Sequence, residues 1–297
     1  MAKKEETYNE AIEKLRKIVA EIENGDLDVD ILSEKVKEAT RLIKLCKEKL
    51  YKVDEEVKSF GGIGLMDKYV LIVAGGKGLR MGGDLPKQFI PMRGKPLLMH
   101  TLEAFHRWDA SARIILVLPE DHQPYWNMLC KEIGCKVPHA IVKGGDTRFF
   151  SVKNGLDWLL AERRRKGEED SGLSLVAVHD GVRPFVSPEV VEACFDKAAV
   201  TGAVIPVVPM IDSLRETDEK GSHPVDRSRY MAVQTPQVFH LELLTKAYEQ
   251  PYSSLFTDDA SVVEAMGHAI DTVPGDRENI KITTPFDLLI AEAMFAR

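Results

Sequence analysis

Leu71-Ile-Val-Ala-Gly-Gly-Lys-Gly-Leu-Arg-Met81 decides how the chain folds, and Pro86-Lys-Gln88 follows it closely. An apolar run ends in three glycines within four positions; an arginine comes next and a lysine soon after. That order describes a buried strand, then a backbone loop, then two cations. Glycine tolerates φ > 0, so such a loop can turn its N–H groups toward an anion. Arg80 and Lys87 place fixed positive charge where a triphosphate would lie. The expectation is a nucleotide-handling enzyme.

Outward from this loop, short apolar runs recur at 69–73, 113–117, 140–142, 173–178, 203–207 and 270–273. Helical patterns lie between most of them, at 96–107, 148–164, 188–199 and 285–295. The alternation predicts an α/β domain, Rossmann-like, with a mostly parallel sheet and helices on both faces. Ligands in such sheets bind beyond the C-terminal ends of the strands, where the glycine loop falls. The loop fits neither phosphate motif of the commonest kind. The lysine after Gly76 is not followed by Ser or Thr, and the glycine spacing is too tight for a dinucleotide fingerprint.

Three more stretches carry candidate chemistry. Val178-His-Asp-Gly-Val-Arg-Pro184 ends a buried strand with a carboxylate. Asp180 can hold Mg²⁺ together with a triphosphate, because Mg²⁺ takes one or two carboxylates plus phosphate oxygens. Arg183 can grip an acceptor phosphate. The plainer reading makes Asp180 a turn cap and Arg183 its ion-pair partner; His179 reads as structural. In Gly144-Gly-Asp-Thr-Arg-Phe-Phe-Ser151 two glycines let the backbone approach a base, and Ser151 offers a hydroxyl. The plainer reading is a helix entry with Asp146 as N-cap. Gln234-Thr-Pro-Gln237, Phe256-Thr-Asp-Asp259 and Asn279-Ile-Lys-Ile-Thr283 are weaker, with Lys281 at a strand end as a further cation.

Residues 1–60 differ in kind. They lack proline and are dense in Lys and Glu. Apolar positions fall at Tyr8, Ile12, Leu15, Val19 and Ile22, then at Leu32, Val36, Ala39, Ile43, Cys46, Leu50, Val53 and Val57. The four-three spacing predicts a small helical hairpin with facing stripes, ended by Asn24-Gly25 and restarted by Asp28 or Asp30. So small a unit has little core, so self-association or docking is expected. Residues 61–65, Gly61-Gly-Ile-Gly-Leu65, form a flexible linker. Met66 then opens the second domain, over 66–297, and the chain reads as a fusion.

Of 297 residues, 44% are hydrophobic and 29% charged, which suits a water-soluble globular chain. A net charge of −7 argues against broad nucleic-acid binding. Cys46, Cys130, Cys135 and Cys194 show no zinc spacing and read as reduced thiols in a cytoplasmic protein. No secretory signal and no membrane-length apolar run is visible.

Residues 66–297 resemble the 2-C-methyl-D-erythritol 4-phosphate cytidylyltransferases. The resemblance rests on Ala74 to Arg80, Pro86-Lys-Gln88, Gly144-Gly-Asp146 with Ser151, His179-Asp180, Arg183-Pro184, Val225-Asp-Arg227, Thr235-Pro-Gln237, Thr257-Asp258 and Asn279-Ile-Lys281. It implies a nucleotidyltransferase sheet and transfer of a cytidylyl group from CTP to methylerythritol phosphate. Arg80, Lys87 and Lys281 would surround the triphosphate and the reacting phosphorus. Ala74, Gly75, Gly76 and Gly78 would line the phosphates, and Thr235 would be a further binding position. Gly144, Asp146 and Ser151 would read cytosine and ribose, Asp180 would bind Mg²⁺, and Arg183, Ser213, Arg227 and Thr257 would hold the acceptor. Residues 213–230 would be a β-arm reaching the other subunit of a homodimer, with Ser213 and Arg227 serving the partner's site. The chain departs from the family at Gly75, at Ser213 where Thr is common, and at Gly181-Val182 where Ala-Ala is common.

Ribitol-5-phosphate cytidylyltransferases share these motifs and are the nearest alternative. Residues 7–58 resemble the exonuclease VII small subunit through Tyr8-Asn-Glu-Ala-Ile-Glu-Lys-Leu, Ile22-Glu-Asn-Gly-Asp-Leu27 and Leu45-Cys-Lys-Glu-Lys-Leu50. That resemblance implies docking to an exonuclease VII large subunit through 1–60. A nuclease accessory with a degenerate enzyme domain is therefore the competing reading.

Overall fold

The computed structural model describes residues 8–23, 31, 34–44, 66–75, 85–168, 173–219 and 221–296. The chain divides into two compact units, Met1–Gly64 and Leu65–Arg297.

In the first unit, α1 (Tyr8–Glu23) and a second helix over 34–44, α2, share one small core. Ala11, Ile18 and Leu42 are buried, with Ile12, Leu15, Ile22 and Ala39 packed around them. Lys35 and Glu21 bridge the two helices at 2.6 Å. The hairpin expectation holds, but its stripe is corrected. Burial runs through Ala11 and Ile18, whereas Tyr8, Val19, Val36 and Ile43 are exposed. Alanine is only weakly apolar, so the spacing pattern passed over Ala11; yet a small side chain is what lets two helices approach closely. The expected caps at Asn24-Gly25, Asp28 and Asp30, the stripe positions Leu32 and beyond Ile43, and the 61–65 linker lie outside the described residues.

The second unit runs, in order, through β1 (Asp67–Val73), β2 (Pro91–Met92), β3 (Lys95–Pro96), α3 (Leu97–Trp108), β4 (Arg113–Leu118), α4 (Gln123–Ile133), β5 (His139–Lys143), α5 (Arg148–Lys166), β6 (Ser174–Asp180) and α6 (Pro188–Thr201). It continues through β7 (Ala203–Pro209), β8 (Leu214–Asp218), β9 (Gly221–Val225), β10 (Met231–Val233), β11 (Gln237–His240), α7 (Leu241–Ala247), α8 (Asp259–Glu264), β12 (Asp271–Pro274) and α9 (Pro285–Phe295). The main sheet has eight strands in the order β10-β7-β11-β6-β1-β4-β5, with β12 also on β7.

Alternate residues of the central strands point to opposite faces, and both faces are covered. Val70, Ile72, Leu116 and Ala177 pack with Leu102, Phe105, Val191 and Phe195 of α3 and α6. Leu71, Ile115, Val117 and Val178 pack with Val152, Leu156 and Leu244 of α5 and α7. Burial on two faces is why these strands read as unbroken apolar runs. The pairings β1–β4, β1–β6, β4–β5 and β7–β12 are parallel. β11 enters antiparallel between β6 and β7, and β10 runs antiparallel on the edge beside β7.

The chain leaves β1 toward β4 on one side and returns through α5 to β6 on the other. Such a reversal opens a crevice at the strand ends, here between β1 and β6. β8 and β9 form a separate two-stranded hairpin, the expected arm, paired from Leu214↔Val225 to Asp218↔Gly221.

Candidate active site

Val73 and Asp180 are register partners, so Ala74-Gly75 and Asp180 leave the sheet side by side. Gly181 donates its N–H to Val73 O at 2.9 Å. A Cβ there would lie 2.8 Å from Ala74 Cβ, so in this chain glycine lets the two strand ends approach. A cavity of about 220 Å³ opens beyond them, lined by Ala74, Gly75, Lys87, Gln88, Asp146, Arg148, Ser151, Asp180 and Lys281 among others.

Asp180 is buried at its centre, 8% exposed. Lys281 Nζ stands 3.0 Å and Arg183 Nε 3.1 Å from its Oδ2. Arg148 Nε is 4.0 Å from Oδ1. Burial alone would raise the carboxyl; Lys281, then Arg148 and Arg183, outweigh it and hold Asp180 well below the usual carboxylate range. The group is therefore an anion at neutral pH. Its one carboxylate fits Mg²⁺ only if the ligand supplies the remaining oxygens, and among the described residues no cluster of three or more His, Cys, Asp or Glu could hold a metal.

Behind Asp180 a buried network fixes its direction. Its N–H donates to Thr235 Oγ1 at 3.2 Å. Thr235 Oγ1 is 3.0 Å from His179 Nδ1, and His179 Nε2 is 3.1 Å from Arg183 O. The carbonyl can only accept, so His179 carries its proton on Nε2, and its Nδ1 accepts a hydrogen bond from the Thr235 hydroxyl. Burial pushes His179 down to about 4, which keeps it neutral. The structure thus makes His179 structural, as expected, and places Thr235 behind the carboxylate rather than along the cavity wall.

Lys281 is delivered by a clamped loop. Gln234 donates to Asp276 O at 2.7 Å and accepts from Asp276 N at 3.1 Å. Buried Asn279 donates to Thr235 O at 2.7 Å, and Arg183 donates to Asn279 O at 2.7 Å. Lys87 opens a single 3-10 turn, Lys87–Phe89. The Gln88 amide ties that turn to Ala74 O at 3.0 Å and lies 3.2 Å from His122 Nδ1. Phe89 stacks on Trp126 with ring centroids 6.2 Å apart.

The cavity's other wall begins at Gly145; just before it, and not itself in the lining, Gly144 donates its N–H to Leu118 O at 2.7 Å. A Cβ on Gly145 would fall 2.4 Å from Phe150 Cβ, so this turn demands glycine. Ser151 Oγ accepts from Gly145 N at 3.1 Å and donates to Thr147 O at 2.9 Å. The N-cap of α5 is Thr147, whose hydroxyl accepts from Phe150 N, and not Asp146. Thr147 has the extended backbone a cap needs, which leaves the Asp146 side chain to the cavity.

Lys281 and Arg183 also line a second cavity of about 410 Å³, with Arg277 and the apolar Val208, Ile211, Val233 and Ile280. Lys87, Lys281, Asp180, Asp146, Ser151, Ala74 and Gly75 are thus brought together, and Arg183 joins them through Asp180. Ser213 and Arg227 lie at the exposed base of the arm and line neither cavity, with the Arg227 guanidinium donating to Ile211 O. Thr257 is exposed just before α8. Gly76, Gly78 and Arg80 lie outside the described residues. Sequence reasoning missed Arg148, Gln88 and Arg277. Arg148 stood inside the quoted Gly144–Ser151 stretch at a helix start, and that position was its only signal.

The comparisons with known proteins agree with this geometry. The 2-C-methyl-D-erythritol 4-phosphate cytidylyltransferase family matches residues 69–297, and the exonuclease VII small subunit family matches 8–59. A cytidylyltransferase of that name from Bacteroides fragilis is 56% identical over 229 residues, 77% of this chain and all of the relative. Its counterpart from Porphyromonas gingivalis is 52% identical, over 76% of this chain and 97% of the relative. The crystal structure of the Thermus thermophilus cytidylyltransferase aligns with a TM-score of 0.57 and 30% identity, covering 78% of this chain and all of that one. That of 4-diphosphocytidyl-2C-methyl-D-erythritol synthase from Anaerococcus prevotii gives 0.63 and 28%, over 78% and 97%. With the crevice, its cations and these relatives together, the chain belongs to the 2-C-methyl-D-erythritol 4-phosphate cytidylyltransferase family of nucleotidyltransferases, with an exonuclease VII small-subunit-like segment in front.

Proposed function

We propose that the second unit transfers the cytidylyl group of CTP to 2-C-methyl-D-erythritol 4-phosphate and releases pyrophosphate. The observation that carries this reading is the buried Asp180 anion ringed by Lys281, Arg183 and Arg148 in a cavity shared with Lys87. An acceptor phosphate oxygen attacks the α-phosphorus in line, and the bond to the β-phosphate oxygen breaks. No side chain need take a proton, because the nucleophile is already an anion; the work is positioning and charge. Lys87, Lys281 and Arg80 stabilise charge on the reacting phosphoryl oxygens. Asp180 would hold Mg²⁺, which when bound adds positive charge at the triphosphate. Asp146, Ser151 and the Gly144 backbone face the base and ribose. Arg183 and Lys281 hold the acceptor phosphate in the second cavity, whose apolar wall suits a branched carbon skeleton. Pyrophosphate release measured with methylerythritol phosphate against ribitol 5-phosphate tests the acceptor; equal kcat/KM for the two would overturn the assignment.

Asp180→Asn keeps the side chain's shape and removes its charge. Activity is expected to fall and to demand more Mg²⁺. An unaltered Mg²⁺ titration curve would make Asp180 purely structural.

A homodimer completes the site. Ile211, Tyr230, Met231 and Val233 are exposed beside edge strand β10 and the arm, a surface suited to a second copy. Ser213 and Arg227 would then hold the partner's acceptor, and Thr257 would be a further acceptor contact. Among the described residues no helix is long and apolar enough to cross a membrane. A cytoplasmic location is proposed from the family of soluble-substrate enzymes it belongs to.

Residues 1–60 are proposed to dock an exonuclease VII large subunit, as the family match at 8–59 suggests. Intact Lys87, Asp180 and Lys281 in one cavity speak against a degenerate enzyme. Deleting residues 1–65 is expected to leave kcat and KM unchanged, while the isolated segment stays helical. A large loss of transfer on deletion would end the two-module reading.

A further inference from the structure

We infer that Arg148 is a further substrate-contacting cation of the nucleotide site, and that Asp259 and Tyr248 are its positioning residues. The inference rests on the cytidylyltransferase reading and extends it to three residues, none of which is among the site residues expected from the sequence. Arg148 opens α5 directly after the glycine turn and lines the cavity with Lys87, Asp180 and Lys281. Its guanidinium is gripped from behind. NH1 donates to Asp259 Oδ1 at 2.8 Å and NH2 to Oδ2 at 2.6 Å, a two-point fork. Asp259 is fully buried, and its Oδ1 also accepts from Tyr248 Oη at 2.6 Å. Burial, then the Asp259 charge, pushes the Tyr248 phenol well above its ordinary value, so it remains a donor.

The fork uses two of the guanidinium's five N–H groups. Nε–H faces Asp180 Oδ1 across 4.0 Å, too far for a hydrogen bond, and 30% of the side chain stays exposed. An arginine needed only to neutralise buried Asp259 would have no cause to border Asp180 and Lys87. A long side chain free in the cavity would have to be ordered by each nucleotide that enters; the carboxylate does this in advance. The α8 N-terminus that carries Asp259 is itself fixed, since Gln237 accepts from Ala260 N at 2.9 Å and donates to Asp258 Oδ2 at 2.8 Å. The anion this places donors for is the phosphate of the nucleotide.

The test measures CTP affinity by calorimetry and turnover by pyrophosphate release on the full chain. Affinity decides the inference even if the acceptor were misassigned. Arg148→Lys keeps the charge and loses the fork; Asp259→Asn keeps the shape and frees the arginine. Each is expected to weaken CTP binding or kcat/KM on the order of tenfold to hundredfold. Tyr248→Phe, the mildest change, is expected to cost severalfold. Added guanidinium should restore part of the activity of Arg148→Ala, by filling the vacated fork, but not that of Arg148→Ala/Asp259→Asn. A merely structural pair would show the loss and its rescue in thermal stability alone, with the CTP affinity of the folded variant unchanged. Wild-type CTP affinity and kcat/KM in folded Arg148→Lys and Asp259→Asn, as judged by circular dichroism, would overturn the inference.

Discussion

Lys87→Ala is expected to lower kcat by roughly 10²–10³-fold, the loss typical of one preorganised charge donor at a reacting centre. Its turn is held on three sides, by Gln88 on Ala74 O, by His122 beside that amide, and by Trp126 stacked on Phe89. The backbone that carries the lysine is therefore fixed before the substrate arrives. Substrate KM should move far less, because an interaction made mainly in the transition state is lost from kcat. Steady-state pyrophosphate release checks this, and a near-normal kcat would remove Lys87 from the mechanism.

Mixing two inactive variants should restore activity. Within one chain Ser213 and Arg227 do not line the cavity that holds Lys87 and Lys281, and they lie at the base of a hairpin whose strands are almost wholly exposed. If Arg227 serves the other subunit's site, a Lys87→Ala/Arg227→Ala heterodimer carries both defects in one site and neither in the other. At equal mixing about one quarter of all sites should be intact. Turnover should rise toward that fraction as subunits exchange. No recovery, with exchange proven by native mass spectrometry, would place Arg227 in its own subunit's site.

The parts of this protein that were legible in its sequence share a physical cause. β1, β4 and β6 are covered on both faces, so each reads as an unbroken apolar run, and the glycines after β1 and the carboxylate ending β6 mark the crevice. Asp180 and the glycine loop stood out for that reason. β11 did not, because its four residues are short, antiparallel and follow a polar motif. α4 buries only Trp126 and carries little pattern. In the N-terminal hairpin the expected Ile12, Leu15, Ile22 and Ala39 do pack at the seam, but its most buried positions, Ala11, Ile18 and Leu42, lie beside the expected line, and Ala11 does not look hydrophobic. Arg148 was illegible for a different reason. A charge in the first turn of a helix usually faces water, and only the tertiary approach of Asp259, 111 residues away, turns it inward. The part played by Thr235 likewise depends on β11 lying against β6, which no local spacing announces.

The measurement that reaches the central claim most directly is phosphorus NMR of the full chain with CTP, methylerythritol phosphate and Mg²⁺. The account predicts that the CTP signals give way to free pyrophosphate and to a new diphosphate diester in equal amounts, and that Asp180→Asn slows both together. CTP left unconsumed, or broken down to CMP with the acceptor phosphate untouched, would contradict it.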